Sequence, residues 1–202
     1  MATDVQTIES NSESLVVPHG RASDAEVQEA VVAVARNPIV TALLDSTNQW
    51  IIVVNEQRQI VAANAAILRD LDSRNPDDLQ SLRLGEAVAC ICSNDGELGC
   101  GAGKNCSDCG VTGAVVESQR LDKPIEQDCL IAIERNGIEV PTEFRCRATP
   151  INLSGKRFTV LALQDISDSK RRRVLERIFI HDLNNTLAGL IGWSEFLAES
   201  PD

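Results

Sequence analysis

The stretch WIIVVNEQRQIVAAN, residues 50–64, decides the fold. Its two apolar runs, residues 50–54 and 59–64, are rich in Ile, Val and Ala and lie on either side of the polar residues 55–58. Apolar, β-branched runs around a short polar segment predict a β-hairpin. We therefore expect the core to begin with two antiparallel strands.

Three further strand patterns follow in the second half of the chain, at residues 129–134, 139–148 and 158–163. The first two are joined through Arg135-Asn136-Gly137, and an Asn-Gly pair is a strong hairpin signal. Short helices are predicted between the two groups of strands, at residues 65–71, 77–82 and 111–121. This order predicts an α+β fold, a five-stranded antiparallel sheet with its helices on one side.

The N-terminal part of the chain has a different composition. Residues 1–23 are rich in Ser, Glu, Asp and Thr, and they have too few large apolar side chains to offset the entropy lost on ordering. We therefore expect a disordered acidic leader. A capping Ser23, acids in the first turn and apolar residues at helical spacing then predict an amphipathic helix over residues 24–37, a candidate dimer contact.

Charge and length exclude several classes of function. The 202 residues include 30 acidic and 19 basic side chains and only 3% aromatic residues, with no tyrosine, so nucleic acid is not an expected partner. No apolar stretch approaches the roughly 18 residues that span a bilayer, and the acidic N-terminus is unlike a signal peptide. We expect a cytoplasmic protein with one domain and extensions.

The order of strands and helices resembles that of a PAS domain. The Asn37-Pro38 pair ahead of the hairpin is similar to the usual start of that fold, and residues 164–168, QDISD, are similar to its usual exit. The resemblance covers residues 38–168 and implies a PAS sensor domain. Residues 169–202 would then form the signalling helix and the helix that follows it.

That helix has an apolar seam and one histidine. Apolar residues three and four positions apart form the seam, and Trp193 and Phe196 widen it, which predicts packing in a bundle between two copies of the chain. The seam residues are Ile180, Leu183, Leu187, Leu190 and Leu197. His181 lies at the flank of the seam, about 100° around the helix from Ile180.

A neutral imidazole can attack a phosphoryl group when one nitrogen faces solvent and an acceptor holds the other. The adjacent Asp182 is placed to be that acceptor, and Asn185 lies one helical turn further on the same face. The alternative is a surface histidine that lies beside a carboxylate and has no catalytic role. A bare His-Asp pair favours the idle histidine, and it is Asn185, the apolar seam and the preceding PAS-like exit strand taken together that favour a phosphoacceptor.

The string FIHDLNN, residues 179–185, resembles the phosphoacceptor motif of sensor histidine kinases. The resemblance implies that His181 is autophosphorylated, that Asp182 is its acid–base partner, and that Asn185 positions the water for dephosphorylation of a response regulator receiver domain. Thr186 stands where many members have proline, so we expect an unkinked helix. ATP and magnesium would bind only to a domain absent from this chain, which is not active alone.

Five of the seven cysteines lie in one polar, glycine-rich loop, residues 85–113. The loop has few apolar residues to order it, and bonds from thiolates to a metal can supply that free energy, on the order of ten kcal/mol for structural zinc. Glycines around Cys100 would let backbone N–H groups approach sulfur closely. The candidate ligands are Cys90, Cys100, Cys106 and Cys109, with Cys92 as an alternate for Cys90.

The Gly-Cys-Gly of residues 99–101 and the C-x-x-C-Gly of residues 106–110 resemble a cysteine-rich PAS variant of bacterial sensors. That resemblance implies an iron–sulfur cluster that responds to oxygen or redox state. Zinc, which also accepts four cysteines, and a reversible disulfide stay open as alternatives. Cys129 and Cys146 alternate with apolar strand residues and are expected to be buried in the sheet.

These features together predict the sensor portion of a two-component histidine kinase. Its cysteine-bearing domain would control phosphorylation of His181 and transfer to a response regulator. The alternative is a zinc-stabilised interaction module whose helix dimerises and whose histidine is idle.

Overall fold

The structure is a computed structural model that describes residues 20–73, 75–96, 98–106, 108–135 and 137–199. The side chains of residues 45 and 196–199 lie outside this description. The chain divides into two units, the first ending at Asp165 and the second beginning at Ile166.

The first unit is built on one five-stranded antiparallel sheet with the strand order β2-β1-β5-β4-β3. Its strands are β1 Trp50–Val54, β2 Ile60–Ala63, β3 Ile125–Arg135, β4 Ile138–Leu153 and β5 Lys156–Asp165. The predicted α+β class and five-stranded antiparallel sheet are confirmed. The last three strands are longer than predicted, and β5 occupies the centre of the sheet.

In the described residues of the first unit, five α-helices and three short 3-10 helices accompany the sheet. The α-helices are α1 Asp24–Ala35, α2 Pro38–Asp45, α3 Ala65–Asp70, α4 Leu84–Ala87 and α5 Gly110–Leu121. The 3-10 helices are Pro76–Leu79, Ile91–Asn94 and Lys104–Cys106. The helix expected at residues 77–82 is therefore a single 3-10 turn that starts at Pro76.

The sheet has helices on both faces: the short helices between the two groups of strands share one face, as expected, and α1 and α2 lie on the other. Alternate strand residues separate into two clusters, because successive side chains of a strand point to opposite faces. On one face Ile52, Cys146 and Leu161 pack with α3, α4 and α5. On the other face Val53 and Phe158 pack against α1 and α2.

The N-terminal helix uses its apolar stripe within the chain. Val27, Ala30 and Val34 are 0%, 5% and 2% exposed and pack against the sheet. The stripe that made α1 a candidate dimer contact is therefore not available for a partner. A capping box at Ser23 starts α1.

Residues 20–23 do not belong to a disordered leader. The carbonyl of Gly20 accepts a hydrogen bond from Arg83 Nη2 at 2.8 Å, and the N–H of Ala22 donates to Gln59 Oε1 at 2.7 Å. These bonds hold the segment before α1 against the first unit. The rest of the predicted leader, residues 1–19, lies outside the described residues.

The second unit is one long helix, α6, Ser167–Glu199. It continues without a break through Thr186, whose hydroxyl donates to the carbonyl of Asp182 at 2.9 Å. Across the described part of the chain, no individual helix has the length and apolar character needed to cross a membrane. Among the described helices, α1 and α2 meet that test together, as a pair bent by 88°.

Candidate functional site

All five cysteines of the loop line one cavity of about 200 Å³ in the first unit. Strands β1, β3 and β5 close its other side with apolar side chains that include Val54, Ile131 and Leu161. The volume is far above the ~10–15 Å³ that one water molecule requires. The cavity therefore has room for a group of several atoms. Its five cysteines are Cys90, Cys92, Cys100, Cys106 and Cys109.

Cys90 and Cys92 enter the cavity from the segment after α4. Cys90 caps the 3-10 helix Ile91–Asn94 and donates its N–H to the carbonyl of Gly85 at 2.7 Å. It also forms an isolated β-bridge with Ile133, which fixes the segment to the edge strand β3. Cys92 lies inside the 3-10 helix. Two residues that a simple extended segment would point in opposite directions thus face the same cavity.

The backbone of Cys100 is held by two side chains from the start of α4. Its N–H donates to Glu86 Oε1 at 3.0 Å, and its carbonyl accepts from Arg83 Nη1 at 2.9 Å. Glu86 Oε2 also accepts the N–H of Arg83 at 3.0 Å, and Arg21 forms an ion pair with Glu86. Hydrogen bonds from side chains therefore order this part of the loop, where the sequence suggested metal ligation alone.

Cys106 and Cys109 enter from the segment before α5. Cys106 ends the 3-10 helix Lys104–Cys106, is 5% exposed, and donates its thiol to the carbonyl of Cys92 at 3.8 Å. Cys109 is the N-cap residue of α5. The N–H of Cys109 donates to the carbonyl of Cys106 at 3.3 Å, and Ser107 between them lies outside the described residues.

Gly85 is required by the close approach of Cys100. A Cβ atom on Gly85 would lie 2.7 Å from Cys100 Sγ, a distance that real Cβ atoms do not show. Only glycine at the start of α4 lets this thiol reach its position. The close contact brings the loop around Cys100 against the helix that precedes Cys90.

Burial raises the pKa of the Cys90, Cys92 and Cys100 thiols, that of Cys100 to about 12. The thiolate is disfavoured because it loses hydration in the cavity wall. At neutral pH these three thiols are therefore protonated. A metal would have to displace their protons, so binding releases protons and strengthens as pH rises.

Within the residues that the structure describes, no three His, Cys, Asp or Glu side chains are close enough together to hold one metal ion. A tetrahedral site for a single zinc ion is thus not preformed there. Cys129 and Cys146 lie on β3 and β4, are 7% and 0% exposed, and do not line the cavity. They belong to the main core, as small buried strand residues.

Two arginines in the cavity wall were missed by the sequence analysis. Arg58 and Arg83 are only 6% and 1% exposed, and both line the cavity. Arg58 looked like part of a solvated hairpin turn, and Arg83 preceded the cysteine loop without any motif. The signal that was present is the spacing of Arg83 and Glu86, one helical turn apart at the start of a helix.

In the second unit, His181 is within reach of both predicted neighbours. Its Nδ1 is 3.3 Å from Asp182 Oδ1, and Asn185 Nδ2 lies 3.3 Å from Nδ1 and 3.5 Å from Nε2. The imidazole is exposed, as are the apolar side chains of Ile180 and Leu183 beside it. The side chains of Phe196 and Leu197 lie outside the description. The helix therefore presents an accessible imidazole with an acceptor and an amide next to it.

Solved PAS domains with low sequence identity are similar to part of this chain. No family model matches the chain, and no curated protein matches it. Among solved structures, the PAS domain of nitrogen regulation protein NR(II) from Vibrio parahaemolyticus has 11% identity and a TM-score of 0.46, covering 64% of this chain and 100% of that one. The PAS domain of BvgS from Bordetella pertussis has 14% identity and a TM-score of 0.41, covering 73% and 96%. A PAS domain from a two-component sensor histidine kinase has 12% identity and a TM-score of 0.40, covering 70% and 98%.

Proposed function

We propose that the first unit is the sensor domain of a two-component histidine kinase and holds an iron–sulfur cluster in its cysteine cavity. The observation that carries the proposal is the convergence of five cysteines, from separate segments of an irregular loop, on one cavity. A shared cofactor explains why cysteines from separate segments line the same cavity, whereas independent structural roles do not.

The ligand set is Cys90, Cys100, Cys106 and Cys109, with Cys92 as the fifth cysteine. Cys90 is favoured over Cys92 because two backbone links, to Gly85 and to Ile133, fix its position. The cysteines of an iron–sulfur cluster are shared among two or more irons, so the thiolates as a set stand farther apart than around one zinc ion. The dispersed thiols of this cavity suit the cluster better. When bound, such a group supplies one-electron redox chemistry.

Strand β5 is the covalent route from the cavity to the signalling helix. Leu161 of β5 lines the cavity, and the strand ends at Asp165, two residues before α6 begins at Ser167. Its neighbours β1 and β4 are hydrogen-bonded to it along its length. We propose that a change in the cavity biases two packings of α6 in a dimer, which differ by only a few kcal/mol.

The proposed output is phosphorylation of His181 by an ATP-binding domain outside these 202 residues, followed by transfer to a response regulator receiver domain. Asp182 would hold Nδ1, and Nε2 would attack the phosphoryl group. Asn185 would position water for dephosphorylation of the regulator. A second copy of the chain would cover the exposed apolar side chains of α6. These are Val174, Leu175, Ile178, Phe179, Ile180, Leu183, Leu187, Leu190, Ile191 and Trp193.

Single alanine substitutions of the cysteines test the site. Protein purified without oxygen should contain iron and acid-labile sulfide, and Cys100→Ala, Cys106→Ala and Cys109→Ala should each lose most of both. Cys129→Ala and Cys146→Ala are matched controls because their thiols are buried in the sheet and do not line the cavity. If the controls lose as much iron as the cavity variants, the cavity is not the binding site.

The same preparations distinguish the alternative function. One zinc per chain in a colourless protein, lost in the cavity variants, would assign the site to a structural zinc ion and the domain to an interaction module. Cys90→Ala and Cys92→Ala identify the fourth ligand. We expect Cys90→Ala to lose the iron and Cys92→Ala to retain it.

A further inference from the structure

The cavity wall contains two buried positive charges. Arg83 has a structural role, since its guanidinium donates to the carbonyls of Gln57, Leu98, Cys100 and Gly20 at 2.8 to 3.3 Å. It also has Glu86 as a nearby opposite charge. Arg58, 6% exposed, is a second cation in the same wall. Two cations beside one cavity favour an occupant with negative charge.

Arg58 occupies a backbone position that favours glycine or asparagine. Its φ is 66°, in the left-handed region, where a side chain with a Cβ is strained by about 1–2 kcal/mol. It closes the tight β1–β2 turn, with its N–H donating to the carbonyl of Asn55 at 3.0 Å. In a solvated turn, an arginine would make no contact that offsets this backbone strain. Here the position directs the guanidinium into the cavity wall.

The cysteine loop leaves space for that guanidinium. Gly101 has φ +87°, and a Cβ atom there would collide with Arg58 Nη1. Arg58 therefore lies directly against the residue that follows Cys100. Burial of the guanidinium, together with the nearby charge of Arg83, lowers the pKa of Arg58 to about 10. Arg58 is still protonated at neutral pH.

We infer that Arg58 is the charge-compensating residue of the cavity, which stabilises an anionic tetrathiolate group and favours its reduced state. This inference rests on the proposed function. Four thiolates around a cluster carry net negative charge, and reduction adds one more electron. A fixed positive charge in a buried site stabilises the more negative state most, because charges interact more strongly there than in water.

A potentiometric titration of the anaerobic protein tests the inference, with dithionite as the electron donor and visible absorbance as the readout. In Arg58→Gln the reduced-to-oxidised ratio at a given potential should fall about tenfold, which is a shift of about 59 mV to lower potential. Arg58→Lys keeps the charge, so its reduction potential should lie close to that of the wild type. Arg145→Gln, which removes a half-exposed arginine of β4, is the control and should leave the potential unchanged.

Each outcome has a defined meaning. If Arg58→Gln binds full iron with the wild-type potential, the charge role of Arg58 is wrong and the proposed function stands. If Arg58→Gln binds no iron, the ratio of iron to protein in Arg58→Lys decides. Recovery there supports the charge role, and failure there overturns it. A wild-type protein without iron overturns the proposed function itself.

Discussion

The carboxylate of Glu86 accepts the backbone N–H of Cys100, with 3.0 Å between Oε1 and nitrogen. The same side chain accepts the N–H of Arg83 through Oε2. One partly buried carboxylate thus joins the start of α4 to the middle of the cysteine loop. The hydrogen bonds of Glu86 therefore stabilise the loop in addition to any group that its thiols bind.

Replacing Glu86 by alanine should destabilise the metal-free domain by ~1–3 kcal/mol, because two partly buried backbone N–H groups lose their acceptor. Urea denaturation in the presence of a chelator and a reductant measures the loss. Glu126→Ala is the control, since Glu126 makes an exposed ion pair with Arg147, of a kind worth at most about 1 kcal/mol. Equal losses in the two variants would show that Glu86 does not hold the loop.

Replacing Gly101 by alanine should cost more stability than replacing Gly137. Both residues have positive φ, +87° and +75°, so both substitutions strain the backbone by about 1 kcal/mol. Only at position 101 does the new Cβ meet a side chain, the buried guanidinium of Arg58. We expect Gly101→Ala to lose ~1–3 kcal/mol beyond Gly137→Ala in the same denaturation experiment. A difference of zero would mean that Arg58 moves aside freely.

Alkaline pH should destabilise the metal-free protein partly through Cys146. Burial raises the pKa of this thiol from 9.0 to about 12. Between these two values the unfolded chain binds fewer protons than the folded one, so stability falls as pH rises through that window. The free energy of unfolding should therefore decrease less steeply above pH 9.0 in Cys146→Ala than in the wild type. Parallel curves would contradict the raised pKa.

Replacing His181 by glutamine should abolish incorporation of phosphate from labelled ATP in protein that includes the ATP-binding domain. Glutamine keeps the size and polarity of the side chain and removes the nucleophilic nitrogen. Asn185→Ala should retain labelling and slow dephosphorylation of the regulator about tenfold, because its amide no longer positions water. Label that persists in His181→Gln would place the phosphoacceptor elsewhere.

Local patterns predicted the strands and helices that depend on their own residues. The β1–β2 hairpin follows from its two apolar runs, and β1 has the predicted bounds. The strand β4 continues to Leu153, five residues past the predicted end at Ala148, because its pairing with β5 sustains it through a segment that includes Pro150. That pairing is a tertiary contact, which a pattern along the sequence does not contain.

The face that a helix covers and the partner of a buried charge were not predictable in the same way. The apolar stripe of α1 predicts a helix equally well whether it packs on its own sheet or on another molecule. The cysteines were found because their number and spacing are unusual. Arg58 was missed because a charged residue in a polar turn is normally solvated, and only the fold of the loop brings Gly101 against it.

The absorption spectrum of the protein purified without oxygen, with iron and acid-labile sulfide measured on the same sample, bears most directly on the cysteine cavity. We expect a brown protein with charge-transfer absorption in the visible range and comparable amounts of iron and sulfide. A colourless protein that contains no metal, and in which all seven thiols react with a thiol reagent once it is unfolded and reduced, would contradict the proposed cluster.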